Sequence, residues 1–194
     1  MKHQIVYFIL PPRVLLLDVA GPAEVLAMAN RNQNKVRFDL NYCGADKRVE
    51  SSIGLLLKDI APLPEVPDRN AMILVAGSSD GPEDPGYQKS RQRIVDWLRK
   101  VARPTHRLVF ICSGALLAAR AGLLDDRSCT THHSHCNELR ELARSAKVFD
   151  NRIYVPDGNV FTSAGVTAGI DLMLHLISEI AGPLCAVGVA RNMP

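Results

Sequence analysis

Cys112 is the residue whose type and setting most directly suggest chemistry. The segment Arg107-Leu-Val-Phe-Ile-Cys112-Ser113-Gly114-Ala115 runs from an apolar stretch straight into small residues. That pattern predicts a strand, a sharp turn and a helix, the layout of a nucleophile elbow. Such a turn lifts one side chain to the carboxyl edge of a sheet. Small neighbours at Ser113 and Gly114 let the helix start close by. The positive end of the helix dipole then favours thiolate over thiol. A buried structural cysteine fits the same spacing, because free thiols are among the most buried side chains.

A second concentration of reactive side chains is Thr130-Thr131-His132-His133-Ser134-His135-Cys136. Three imidazoles and a thiol in seven residues raise the question of zinc, whose ligands are of these types. Neighbouring residues at a strand-to-helix junction point in different directions, however. The chain holds no second Cys and His cluster at a familiar spacing to complete four ligands. No metal and no cofactor are expected. The one basic stretch, Tyr87 to Arg107, carries Lys89, Arg91, Arg93, Arg99, Lys100, Arg103 and Arg107 against Asp96. A solvated outer helix face is the expected reading, rather than a phosphate-binding one.

The elements that must position these groups alternate along the chain. Apolar runs at Gln4–Leu10, Val36–Cys43, Ala71–Ala76, Arg107–Ile111, Ser128–Thr131, Lys147–Val155 and Asn159–Thr162 predict strands. Val49–Leu57 reads as a hairpin around Gly54, and Asp157-Gly158 as a turn. Helices are predicted at Ala23–Asn30 (opening on Gly21-Pro22), Tyr87–Val101, Ser113–Ala121, Ser134–Ser145, Val166–Ile180 and Pro183–Asn192. Gly77–Gly86 and the proline-bearing Ala61–Asn70 read as loops. Alternation with short connections implies an α/β domain built on a largely parallel sheet.

Composition narrows the class further. The chain has 194 residues, 47% hydrophobic and 22% charged, which excludes disorder, collagen and coiled coil. One domain spanning residues 1–194 is expected. A net charge of +3 is too small to name a nucleic-acid partner, and 5% aromatics advertise no base-stacking surface. No stretch reaches the roughly 20 apolar residues of a membrane span. The apolar start is followed at once by Pro11-Pro12-Arg13, which suits a buried strand better than a signal peptide. Five cysteines, an odd number without a C-x-x-C pair, point to a reducing, cytoplasmic setting.

An ordered set of short motifs resembles the DJ-1/PfpI superfamily, within the class I glutamine-amidotransferase-like fold. The similarity is strongest to the N-terminal domain of AraC-type (GlxA-like) transcriptional regulators. Its carriers are Leu17-Asp18-Val-Ala-Gly21-Pro22-Ala-Glu24-Val25-Leu26, Phe110-Ile-Cys112-Ser113-Gly114-Ala115, Ala121-Gly122-Leu-Leu-Asp125 and Thr130-Thr131-His132. Asp157-Gly158-Asn-Val-Phe-Thr162-Ser163-Ala164-Gly165 and Ala168-Gly169-Ile170-Asp171 complete it. The resemblance covers essentially the whole chain. It implies a flavodoxin-like three-layer sandwich, with a mostly parallel sheet, helices on both faces and the elbow at Cys112.

The resemblance also implies roles. A carboxyl group faces the elbow cysteine, and the matching position is Asp18; members vary between Glu and Asp there, with Asp in the isocyanide hydratases. Protonated, it would donate to the thiolate or move a proton. Read without the family, Asp18 is equally an N-cap for a helix starting near Gly21. The loop at Gly77-Ser78 matches a glycine pair whose N–H groups form an oxyanion hole in relatives, and here Ser78 departs from that pair. His132 is placed near Cys112. Ser134 stands where a Glu would complete a Cys-His-Glu triad, so a glutamine amidotransferase is not expected.

The resulting expectation is a ligand-sensing and dimerising domain of an AraC-type regulator. Cys112, Asp18 and His132 would be pocket or vestigial catalytic positions, and Gly77, Ser78, Ser113 and Gly114 would line the ligand site. The expected partners are a small-molecule effector and a second copy of the chain. No membrane is expected, and DNA is contacted only through a C-terminal helix-turn-helix domain that would follow the abrupt end at Pro194. The alternative is a stand-alone cysteine enzyme of isocyanide hydratase or DJ-1/PfpI hydrolase type, using Cys112 and Asp18.

Overall fold

The computed structural model describes residues 1–79, 84–165 and 167–193. In chain order the elements are β1 (Lys2–Ile9), α1 (Leu16–Asn32), β2 (Val36–Gly44), β3 (Arg48–Glu50), β4 (Leu56–Lys58), β5 (Ala61–Pro62) and β6 (Met72–Val75). They continue as α2 (Pro85–Val101), β7 (Arg107–Ile111), α3 (Gly114–Arg120), β8 (Ser128–Cys129), a 3₁₀ turn at His133–His135, and α4 (Cys136–Leu142). The chain then forms β9 (Lys147–Val148), β10 (Tyr154–Asp157), β11 (Val160–Ser163), α5 (Ala168–Ala181) and α6 (Pro183–Asn192).

Seven strands form the main sheet in the order β10-β11-β7-β6-β1-β2-β5. Every neighbouring pair is parallel except β10 with β11. The two outer strands, β5 and β10, are short and each contains a proline, Pro62 and Pro156. From β1 the chain goes out to β2, then returns to the other side of β1 at β6 and proceeds through β7 to β11. The strand order therefore reverses between β1 and β6. In open α/β sheets this crevice, at the carboxyl ends of the strands, is where ligands bind.

Strand residues are apolar on both faces because both faces are covered. Along β6, Met72 and Leu74 join the core beneath α1, α5 and α6, while Ile73 and Val75 join the core beneath α2, α3 and α4. The same alternation splits Val109 and Ile111 of β7 from Leu108 and Phe110. The fold is thus a flavodoxin-like three-layer sandwich. None of the helices described is long and apolar enough to cross a membrane.

Several local expectations change, and the first two residues of the loop expected at Ala61–Asn70 form β5. α1 starts at Leu16, not near Gly21, so Pro22 lies inside the helix and Asp18 in its first turn. Pro22 has no N–H to offer the carbonyl of Asp18 four residues back. The helix continues through this defect because Val19, Val25, Leu26 and Ala29 pack into the core. The single strand expected at Lys147–Val155 is two strands in two sheets: β9 pairs with β8, and β10 with β11. The exposed polar residues Asp150, Asn151 and Arg152 break it. The helix expected from Ser134 is a 3₁₀ turn followed by α4, which ends at Leu142. Parts of two expectations, the loop at 80–83 and the start of a helix at Val166, lie outside the described residues.

Candidate functional site at the strand-order reversal

Cys112 follows β7 directly and adopts φ 54°, the left-handed region that non-glycine residues rarely occupy. α3 begins two residues later. The elbow is held on both sides. Cys112 N–H donates to Ser163 O at 3.1 Å, and its carbonyl accepts from Thr131 Oγ1 at 2.8 Å. Gly114 must be glycine here, because a Cβ would stand 2.5 Å from the carbonyl oxygen of Val75. The helix can start this close to the end of β6 only without a side chain.

Three segments far apart in sequence converge on Gly77. A Cβ placed there would lie 2.5 Å from Asp18 Oδ2, 2.9 Å from Cys112 Cβ and 3.1 Å from Ser113 Oγ. Asp18 comes from α1, Gly77 from the end of β6, and Cys112 and Ser113 from the elbow. The crossing of the chain at the strand-order reversal brings them together. The Asp18 carboxyl and the Cys112 side chain thus both lie against Gly77, and Leu15 rather than Asp18 occupies the helix N-cap position.

Asp18 is fully buried, and burial pushes its carboxyl up to about 7, opposed only by a hydrogen bond from Gly77 N–H at 3.0 Å. Its other oxygen, Oδ1, has no hydrogen-bond partner among the described residues. A carboxyl poised near neutrality can hold or give up a proton under ordinary conditions. Burial raises Cys43, Cys136 and Cys185, and burial with the nearby Asp157 and Cys136 pushes Cys129 up to about 11.

The loop at Gly77-Ser78 presents two backbone N–H groups, and both are engaged. Gly77 N–H points at Asp18, and Ser78 N–H donates to Ser113 Oγ at 2.9 Å. The Ser113 hydroxyl donates in turn to Ser78 O at 2.8 Å, so the two serines are locked at two points. Leu15 N–H donates to Gly77 O, Ser79 N–H to Arg13 O, and Arg91 Nη2 reaches Ser78 Oγ and Ser79 O. Arg13 and Arg91 thus pin the loop from two sides. The sequence could have signalled Arg91: with Val95 and Leu98 it falls on the apolar stripe of α2.

His132 lies at the same end of the sheet. A Cβ on Gly165, just beyond β11, would stand 3.1 Å from His132 Cδ2. Its Nδ1 accepts from Ser134 N–H and lies 2.7 Å from Ser134 Oγ. Burial, with the neighbouring His133 and His135, holds His132 below its ordinary value. The His132 and His133 rings sit 4.2 Å apart, while His135, at the end of the 3₁₀ turn, faces Glu138 in the first turn of α4. Among the described residues no group of His, Cys, Asp or Glu side chains is arranged to hold a metal ion.

The accessible space lies just outside this junction. A groove of about 450 Å³ between α2 and α3 is lined by Ser78, Gln88, Arg91, Ser113, Arg120 and Glu138, among others. Cys112, Gly77 and Asp18 are behind its wall, and Cys112 is only 3% exposed. The elbow therefore aims its cysteine into the protein beside Asp18, where the sequence pattern had suggested an exposed side chain.

The α/β sheet thus carries a cysteine on a left-handed strand-to-helix turn, with a buried carboxyl close by. Residues 4–179 match the DJ-1/PfpI family, and the chain belongs to it. It is 34% identical to the isonitrile hydratase of Pseudomonas putida over 178 residues, covering 90% of this chain and 71% of that one. It is 33% identical to the HTH-type transcriptional regulator GbdR of Pseudomonas aeruginosa over 181 residues, covering 92% of this chain and 47% of the regulator. The chain thus spans about half the length of that regulator. Among solved structures, an AraC family transcriptional regulator from Pseudomonas putida superposes with a TM-score of 0.78 at 22% identity, over 98% of this chain and 100% of that one.

Proposed function

We propose that this chain is the effector-sensing and dimerising N-terminal part of an AraC-type transcriptional regulator, with DNA contacted through a C-terminal helix-turn-helix domain. The observation that carries the reading is the occupied loop at Gly77-Ser78. Acyl-transfer and hydration chemistry needs preorganised donors aimed at developing negative charge. Here one N–H is spent on Asp18 and the other on Ser113. A site closed in this way is suited to binding and to signalling through loop movement. The similarity to GbdR, extending over 92% of this chain, supports the same reading.

One observation favours a second reading. Asp18, raised to about 7 beside Cys112, has the properties of a proton carrier, and the isonitrile hydratase is as similar to this chain as the regulators are. In that reading the Cys112 sulfur would add to the carbon of an isocyanide while Asp18 delivered the proton.

A thermal-shift screen of small amines, amino acids and isocyanides, with product analysis on each hit, separates the two. A sensed ligand stabilises the native fold by mass action, by about 2.7 kcal/mol at a hundredfold excess over Kd, and is recovered intact. Cys112→Ser then changes affinity modestly. A ligand consumed by the wild type and untouched by Cys112→Ser establishes the enzyme instead.

A further inference from the structure

We propose that the groove between α2 and α3 is a carboxylate-binding subsite anchored by Arg91, and that the effector is a small monocarboxylate. The proposal rests on the sensing reading and gives it a ligand class.

Arg91 differs from its neighbours. Of the arginines on α2, Arg93 is paired with Asp46 and Arg99 with Asp96. Across the groove, Arg120 is paired with Glu138 at 3.0 Å. Arg91 has no carboxylate partner among the described residues. Its Nη2 makes two contacts, each 3.3 Å, to the uncharged oxygens Ser78 Oγ and Ser79 O. Its Nε is buried with no hydrogen-bond partner among the described residues. An N–H left unpaired out of water is costly. With Nε closed off, a carboxylate entering from the groove would meet the guanidinium through its two Nη groups, which can also pair with both oxygens in a planar fork. Arg91 lines a groove of about 450 Å³, large enough for a molecule of a few heavy atoms.

The far wall sets the rest of the ligand. Glu138 is an anion already committed to Arg120, so a second carboxylate at that end would meet like charge. One carboxylate, followed by a neutral or cationic end, suits the groove. Binding also has a route to the junction. A carboxylate on Arg91 competes for the guanidinium that holds Ser78 and Ser79, and these follow directly on Gly77, whose N–H is bonded to Asp18.

The test uses butyrate, butyramide and glutarate at constant ionic strength, followed through the arginine Nε–H resonances and by titration calorimetry. Butyrate is expected to bind saturably and to shift the Arg91 resonance. Butyramide and glutarate are expected to bind about tenfold more weakly or less, and Arg91→Gln to lose about tenfold in butyrate affinity. Arg91→Lys, which keeps the charge and loses the fork, should fall between them, and circular dichroism should show both variants folded. Absence of saturable butyrate binding, equal binding of butyrate and butyramide, or unchanged affinity in Arg91→Gln each overturns the subsite. A hit from the amine and amino-acid screen that stabilises wild type and Arg91→Gln alike overturns the subsite and leaves sensing intact. Consumption of a screened ligand by Cys112 chemistry, with butyrate still held by Arg91, overturns sensing and leaves the subsite.

Discussion

The junction around Gly77 holds fewer reactive side chains than the histidine segment from His132 to Cys136, and the two are built in opposite ways. At the junction, Asp18, Gly77, Cys112 and Ser113 come from three separate segments, and all are buried. The histidine segment is contiguous, and His133 and Ser134 are exposed. Its partners are largely local: Ser134 for His132, Glu138 for His135. Density of chemical side chains along a sequence is therefore a poor guide to a site. Convergence across the sheet is what dries a carboxyl group and raises it.

Substitutions can break or sharpen this contrast. The largest effect is expected at Asp18. Unfolded, its carboxyl titrates near 3.8, and folded, near 7. Between these values the folded chain keeps a proton that the unfolded chain has lost, so stability falls as pH rises, by about 4 kcal/mol once pH exceeds 7. Asp18→Asn removes that dependence. Urea melts should show the variant gaining on the wild type from about pH 4 to pH 8. Parallel pH profiles would show that Asp18 does not carry the burial assigned to it.

Gly114→Ala comes next. The added methyl would meet the Val75 carbonyl at 2.5 Å, a backbone atom that cannot turn aside. A loss of about 3 kcal/mol is expected, at the upper end for overpacking. Thr131→Val probes the bond by which the residue just before the histidine segment holds the elbow. It leaves the buried Cys112 carbonyl without its hydroxyl donor and should cost about 2 kcal/mol in the same melts. His133→Ala, on the exposed side, should change stability by no more than about 0.5 kcal/mol. If His133 proved as costly as Thr131, the distinction between the two regions would collapse.

Much of this architecture was legible in the chain. The run into Cys112 gave β7 at Arg107–Ile111, and the proline-led C-terminal helix is found at Pro183–Asn192. The hairpin around Gly54 is β3 with β4. These are local patterns, settled by periodicity and turn residues. The start of α1 was hidden because Pro22 normally marks a first turn, and only tertiary packing carries a helix past it. The pairing of Ser78 with Ser113, and the buried aspect of Cys112, depend on strands β6 and β7 lying side by side with α1 laid over their ends. Nothing in the spacing of residues 18, 77 and 112 announces that. Arg91 was visible as one of seven basic residues, but its lack of a carboxylate partner is a property of the assembled surface.

The outer strands of the sheet carry a consequence of their own. β5 offers two residues and β10 four, and Pro62 and Pro156 each remove an amide from those borders. A strand arriving from outside would find too few donors in register to extend the ladder. The fibrillar route that open sheet borders invite is thereby blunted at both borders of the main sheet.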